Sequence, residues 1–151
     1  MIASTSAFKQ VEPDAAPFTA TPLSRSAALM VDAYRDTIDW EDGDDEVAAE
    51  SALSATKEGV FGDFLPDFSL TLCVSGDEPA AQIICTIFEG NPTIMFVYTA
   101  KQHQGKGLAS RLISEVGSRL KESGFAELAL YVTDGNPAQK LYEKLGFRVI
   151  D

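Results

Sequence analysis

The sequence predicts a mixed α/β domain: an antiparallel meander joined to a parallel crossover, with helices on both faces of one sheet. Three observations carry this expectation. Leu70, Leu72 and Val74 alternate with Thr71 and Cys73, the period of two of a strand with one buried face. Leu108, Leu112, Val116 and Leu120 recur every four residues, the stripe of a helix packed on a sheet. The apolar runs around them stop at Gly- and Pro-containing turns, and the chain shows neither an internal repeat nor a second domain.

Taken in order, residues 1–20 are rich in Ala, Ser, Thr and Pro without a sustained period. They read as a mobile or partly extended segment, with Phe18 to Thr21 a candidate first strand, and residues 21–151 as the single domain. Ser24 is placed to cap a helix running through Ala28, Leu29, Val31, Asp32 and Tyr34. An acidic stretch, Asp39 to Glu46, leads to a second helix with Val47, Ala48, Ala52, Leu53 and Val60 on its apolar side. Gly59, Gly62 and Pro66 end it. The meander follows: a strand from Leu70 to Val74, a turn at Ser75 to Pro79, a strand from Ala81 to Phe88, a turn at Glu89 to Pro92, and a strand from Ile94 to Thr99. The helix carrying the four-residue stripe also has Ala109 and Ile113 on its apolar side, and Gly124 ends it as a left-handed cap. Leu128, Leu130 and Val132 then form a strand returning parallel to the one before the helix, as a right-handed crossover. Pro137 suits a first helical position and Gly146 a C-terminal cap, with Ala138, Leu141, Tyr142 and Leu145 on one face. Phe147 to Ile150 is a last short strand.

Composition narrows the functional classes. The 151 residues suffice for one domain burying roughly 70% of the surface of its unfolded chain. No apolar run approaches the roughly 20 residues of a membrane span. The start of the chain has neither a basic nor an apolar signal region. Cys73 and Cys85 fall in predicted strands, no CxxC spacing occurs and there is one histidine, so a zinc site is not expected. Reduced, buried thiols in a cytoplasmic protein are. The net charge of −11 weighs against nucleic acid, which demands clustered Lys and Arg. An acidic surface suits a cationic ligand such as a protonated amine, and equally serves solubility.

Two short stretches carry the chemistry. Gln104-Gly105-Lys106-Gly107-Leu108-Ala109 opens a helix directly after a strand. A helix N-terminus leaves backbone N–H groups unpaired and carries partial positive charge, and the two glycines let a phosphate ester approach. Position 110 is Ser where a dinucleotide fingerprint needs a third Gly or Ala, and no Gly-Lys-Ser/Thr occurs, so a nucleotide triphosphate with magnesium is disfavoured. His103, just before the loop, reads as a surface imidazole, and Lys106 as either a phosphate-side charge or a solvated lysine. Further on, Asn136-Pro137-Ala138-Gln139-Lys140-Leu141-Tyr142-Glu143-Lys144-Leu145-Gly146-Phe147 reads as a capped helix carrying a phenol. By itself it reads as an amphipathic core tyrosine behind an Asn cap.

Together and in this order, the two stretches resemble the GNAT-type N-acetyltransferases, over roughly residues 24–150 and most specifically over 94–147. The family pattern of Gln or Arg, two residues, Gly, one residue, then Gly or Ala maps onto Gln104, Gly107 and Ala109. A second register, Gln102, Gly105 and Gly107, also matches but sets the strand one turn too close. The resemblance implies a GNAT-like fold and acetyl-CoA as cosubstrate. It assigns the amides of Gly105, Lys106, Gly107, Leu108 and Ala109 to the pyrophosphate, and the backbone from Val97 to Thr99 to the pantetheine arm. It also implies that Asn136 bonds that arm and that Tyr142 is the general acid for the departing thiolate, the amine attacking directly. Family members often place a glutamate on the strand before the loop, but Thr93 to Thr99 has no carboxylate. Glu89 and the acidic stretch at 39–46 are the substitutes. An acyl-CoA sensor without transfer is the alternative class.

The family's acceptor site usually involves the segment between the first two helices. Here Trp40 stands among Asp39, Glu41, Asp42, Asp44 and Asp45, which suits a cationic amine through charge and cation–π contact, or simply a polar connection anchored by Trp40. Peptide N-termini, lysines, polyamines, amino acids and aminoglycosides all remain open as acceptors. Relatives continue into one further strand after the Leu-Gly-Phe segment, so an open edge is expected near Phe147 to Ile150. Either a partner subunit, giving a homodimer, or the N-terminal segment would cover it.

Overall fold

Glycine and proline positions divide the chain, in the computed structural model, into the elements the sequence pattern calls for and several it does not. Residues 1–37 and 45–150 are described. In chain order the elements are β1 (Ile2–Ser4), β2 (Ala16–Pro17), α1 (Leu23–Tyr34), α2 (Glu46–Lys57), β3 (Asp63–Phe64), β4 (Leu70–Ser75), β5 (Glu78–Phe88), β6 (Asn91–Thr99), α3 (Leu108–Glu122), β7 (Glu127–Leu130) and α4 (Ala138–Lys144). Among the described residues the strands form one seven-stranded sheet in the order β1-β7-β6-β5-β4-β2, with β3 paired to β5 off that path. The meander β4-β5-β6 is antiparallel, and β6 and β7, joined through α3, run parallel. The mixed fold and both expected connections are present.

The sheet has a core on each face. Ile83 and Cys85 of β5 pack with Leu112, Ile113, Val116 and Leu120 of α3. Ile84 points the other way, into Leu29, Met30 and Leu53 of α1 and α2. A strand with two covered faces is buried at every position, as β5 is from Ala80 to Thr86. Gln82 falls on the α1 face, where its Nε2 donates to Ser26 Oγ at 3.0 Å and Thr71 Oγ1 at 3.1 Å, and its Oε1 accepts from Tyr98 OH at 2.6 Å. Each polar atom of that buried amide is therefore partnered, which removes the cost of desolvating it.

Several expectations need correction. Ser24 lies inside α1, whose N-cap is Pro22, so its hydroxyl caps nothing. Val47 and Val60 are 74% and 64% exposed; α2 buries Ala49, Leu53 and Thr56 instead, because its apolar stripe is carried by small residues. The candidate strand at Phe18 to Thr21 is a 3-10 turn, and the pairing with β4 lies two residues earlier, at Ala16–Pro17. Val74 and Cys73 are exposed at the end of β4, so one of the two thiols is not buried. The strand expected through Val132 ends at Leu130, and Pro137 stands one position before the first residue of α4. The strand expected at Phe147 to Ile150 is reduced to one bridge, Arg148 with Ile2.

That bridge settles how the C-terminal edge is covered. Ile2 pairs with Ala129 of β7 on one side, and on the other its N–H donates to Arg148 O at 2.9 Å while its carbonyl accepts from Arg148 N at 2.8 Å. The N-terminal strand thus lies between β7 and Arg148. Residues 5–13 then run back over α3. The fully buried Glu115 carboxylate accepts from Val11 N at 3.1 Å, Glu12 N at 2.8 Å and Arg119 Nε at 2.7 Å. Burial pushes its pKa up, but these hydrogen bonds favour the charged form and hold it below the usual range. Phe8 rests on Gly117, where a Cβ would overlap its ring, and meets Phe147 at 5.9 Å between centroids.

Candidate functional site

The parallel pair β6–β7 is short, and its ending makes the site. The two strands pair only at Thr93 with Ala129 and Ile94 with Leu130. β7 stops there, whereas β6 continues to Thr99. Beyond Ile94, β6 keeps β5 on one edge and faces an opening on the other. Ala100 N donates to Ala80 O at 2.9 Å, toward β5. By strand alternation, Val97 and Thr99 therefore turn their backbone groups toward the opening. Their carbonyls accept there from Tyr34 OH at 3.2 Å and Gln104 Nε2 at 3.0 Å. The opening is a cleft of about 1240 Å³, walled by Met95 to Thr99 on one side and Leu130 to Thr133 on the other.

The glycine loop closes one end. Gly105 and Gly107 sit at φ 79° and 78°, left-handed conformations that favour glycine. A Cβ on either would meet nothing within 4 Å, so backbone conformation and not crowding demands them, and the space in front of the loop is open. No side chain caps α3, and its first helical bond from this turn is Arg111 N to Gly107 O at 3.1 Å. The N–H groups of Leu108, Ala109 and Ser110 have no acceptor inside the helix, and all three residues line the cleft. This end is suited to an anion. The loop is fastened to α1: Lys101 N donates to Asp32 Oδ2 at 2.8 Å, and Lys101 Nζ bonds Arg35 O.

Of the residues singled out in the sequence, Val97, Thr99, Gln104, Gly105, Gly107, Leu108, Ala109, Asn136 and Tyr142 all line this one cleft. Lys106 does not; its ammonium lies 3.1 Å from His103 Nδ1, and the partly exposed imidazole of His103 is itself a lining residue. Asn136 Oδ1 accepts from Ala138 N at 2.9 Å, so the residue caps α4 and also faces the cleft. Tyr142 is half-buried, its ring edge-on to Phe147 at 6.1 Å. Tyr34, Tyr131, Thr133, Asp36 and Asp45 also line the cleft, Asp45 with its Oδ1 committed to Ala48 N at 2.8 Å. Apart from Asp45, which belongs to the acidic stretch, sequence reasoning missed these as lining residues, because they belong to no motif and reach the cleft only through the parting of β6 and β7. The expectations for Trp40, Asp39, Glu41, Asp42 and Asp44 lie outside the described residues. Among the described residues, no group of three or more His, Cys, Asp or Glu is placed to hold a metal.

Comparison with known proteins fits this geometry. The family model described as FR47-like protein matches residues 77–151, which contain β6, the glycine loop, α3, β7 and α4. The [ribosomal protein bS18]-alanine N-acetyltransferase of Haemophilus influenzae is 34% identical over 68 residues, 45% of this chain and 47% of that protein. Residues 77–151, just under half of the chain, match that family, and the fold is that of the GNAT-type N-acetyltransferases. The chain aligns with about half the length of that curated relative. Two solved structures share the fold of this chain. One is the ribosomal-protein-S18-alanine N-acetyltransferase from Escherichia coli, with a TM-score of 0.68 and 22% identity over 91% of this chain and 77% of the other. The other is an aminoglycoside N-acetyltransferase in complex with CoA, with a TM-score of 0.67 and 18% identity over 91% and 89%. Among the described residues, no helix is long and apolar enough to cross a membrane.

Proposed function

We propose that this protein transfers the acetyl group of acetyl-CoA to an amine in the cleft between β6 and β7. The observation that carries the reading is the convergence, in one cleft, of an open strand edge, an uncapped helix N-terminus behind two left-handed glycines, and the Asn136–Tyr142 face of α4. Acetyl-CoA fits on chemistry as well as size. Its diphosphate suits the N–H groups of Leu108, Ala109 and Ser110 and the loop from Gly105. Its amide-bearing arm suits the backbone of Val97 and Thr99 as an added strand.

The cosubstrate supplies an activated acyl group on a thiolate leaving group. The chain's own residues do the rest. The glycine loop neutralises the diphosphate and sets its depth. Val97 and Thr99 align the arm along β6, with the carboxamide of Asn136 bonding it from the opposite wall. Tyr142 holds a proton for the departing thiolate; a phenol, with an unperturbed pKa of about 10, remains protonated at neutral pH. No carboxylate stands on β6 from Thr93 to Thr99, so the attacking amine loses its proton to water or to a cleft carboxylate, Asp36 being one. A cytoplasmic location belongs to the same proposal; a homodimer would have to form through a surface other than the edge that Ile2 covers, and a monomeric mass by light scattering at high concentration tells against it.

The test is amine-dependent release of free CoA across a mixed panel of peptide N-termini, polyamines, amino acids and aminoglycosides. Release with at least one class supports transfer and identifies the acceptor. Tight binding of acetyl-CoA with no release for any amine would instead support an acyl-CoA sensor.

A further inference from the structure

Next to Tyr131, a residue that lines the cleft, one residue is held in a conformation its side chain does not favour. The β5–β6 hairpin closes through Glu89 and Gly90, at φ 52° and 85°, between the paired Phe88 and Asn91. Positive φ at both central residues is the type I′ pattern, which calls for Asn, Asp or Gly at the first position. A glutamate there is strained, and such strain persists where something else fixes the residue. What meets Glu89 is Tyr131: the phenol donates to Glu89 Oε2 at 3.2 Å. Tyr131 follows the last residue of β7 and stands at the point where β7 parts from β6. It lines the cleft, is 66% exposed, and leans edge-on against Phe88 at 5.8 Å. No cation pairs with Glu89 among the described residues.

We propose that Tyr131, with Glu89 behind it, is the subsite that receives a cationic amine acceptor. Because the phenol hydrogen is directed to Glu89, the lone pairs of the phenol oxygen are left to accept from an ammonium N–H, and the carboxylate makes that oxygen more negative. The exposed ring face adds cation–π attraction, and the carboxylate behind the phenol adds negative charge. Phe88 fixes the ring's tilt. Partial desolvation, followed by the hydrogen bond to Glu89 and the carboxylate's charge, holds the phenol's pKa up, so the hydroxyl stays a donor to Glu89 at neutral pH. The subsite therefore selects a protonated alkylamine over a neutral aromatic amine of similar size. The acceptor part of this inference rests on the transfer reading above.

The experiment compares wild type with Glu89→Gln, Glu89→Asn and Tyr131→Phe, using phenethylamine as acceptor. Losing a charge-assisted contact is expected to raise the KM for the amine about tenfold in each variant, with the KM for acetyl-CoA unchanged. Asn suits the type I′ turn, so Glu89→Asn is expected to melt at or above the wild-type temperature while binding the amine more weakly, a pairing that a purely structural role does not produce. An unchanged KM for the amine in all three variants overturns the subsite. If no variant, wild type included, turns phenethylamine over, the transfer reading is decided separately by the amine panel above. Calorimetric titration of phenethylamine into the CoA-loaded protein then reads the subsite directly: weaker binding by Glu89→Gln supports it, and equal binding overturns it.

Discussion

Replacing Gly117 by alanine opposes two effects whose signs differ. Gly117 is in the middle of α3, where alanine is favoured over glycine by about 1 kcal/mol through helix propensity alone. A Cβ built there would lie 2.2 Å from Phe8 Cδ2, 2.4 Å from Cγ and 2.8 Å from Phe8 Cβ. The last of these atoms sits next to the backbone, so turning the ring does not clear the overlap. Phe8 must move with its segment. It is 5% exposed and packed on Phe147, and giving up such a ring costs about 3–5 kcal/mol. Subtracting the propensity gain leaves a net loss of about 2–4 kcal/mol. For a domain of this size each kcal/mol is worth roughly 2–4 °C in Tm, so a fall of roughly 6–12 °C is expected at the middle of that range. Urea denaturation of Gly117→Ala, Phe8→Ala and the double variant resolves the cause. The second substitution is expected to cost little once the first is present, because both remove the same packing. A Gly117→Ala protein as stable as wild type, or more stable, would refute the docking of the N-terminal segment on α3.

Other consequences follow from the same packing. Glu115→Gln is expected to destabilise by about 1.5–3 kcal/mol at neutral pH, since the charged acceptor of three hydrogen bonds is lost. Its pKa is lower folded than unfolded, so the wild type's advantage is complete above the unfolded value and shrinks as pH falls through the folded one; a denaturation series from pH 7 to pH 3 checks this. Tyr98→Phe removes the only donor to Gln82 Oε1 found among the described residues and should cost about 1–3 kcal/mol without moving the helical circular-dichroism signal. Tyr142→Phe should lower turnover while acetyl-CoA affinity survives, and equal turnover over several pH values would remove the phenol from the mechanism.

The parts of the fold legible in the sequence are those set by local periodicity or by a special backbone angle. The stripe from Leu108 to Leu120 needs only its own spacing to announce α3, and Gly105, Gly107 and Gly124 all occupy the left-handed angles their positions suggest. What long-range packing decides was not legible. Alternation fails on β5 because helices cover both faces, and Val47 and Val60 are outside because small residues carry the contact of α2. The N-terminal segment lacks a period of its own; its place comes from Glu115 and Gly117, more than a hundred residues away in sequence, together with the Arg148 bridge. The motif residues of the cleft were readable because the loop and α4 carry them consecutively. Tyr131 and Tyr34 enter only through the splaying of two strands, which no local pattern encodes.

The most direct measurement is calorimetric titration of acetyl-CoA into wild type and Ala109→Glu. Ala109 stands in the first turn of α3 and lines the cleft, where a carboxylate favours the helix by about 0.3–1 kcal/mol but repels a diphosphate. The account predicts one-to-one binding by wild type, a variant at least as resistant to heat, and affinity reduced at least about tenfold. Equal affinity in the two proteins, or no binding by wild type, would contradict it.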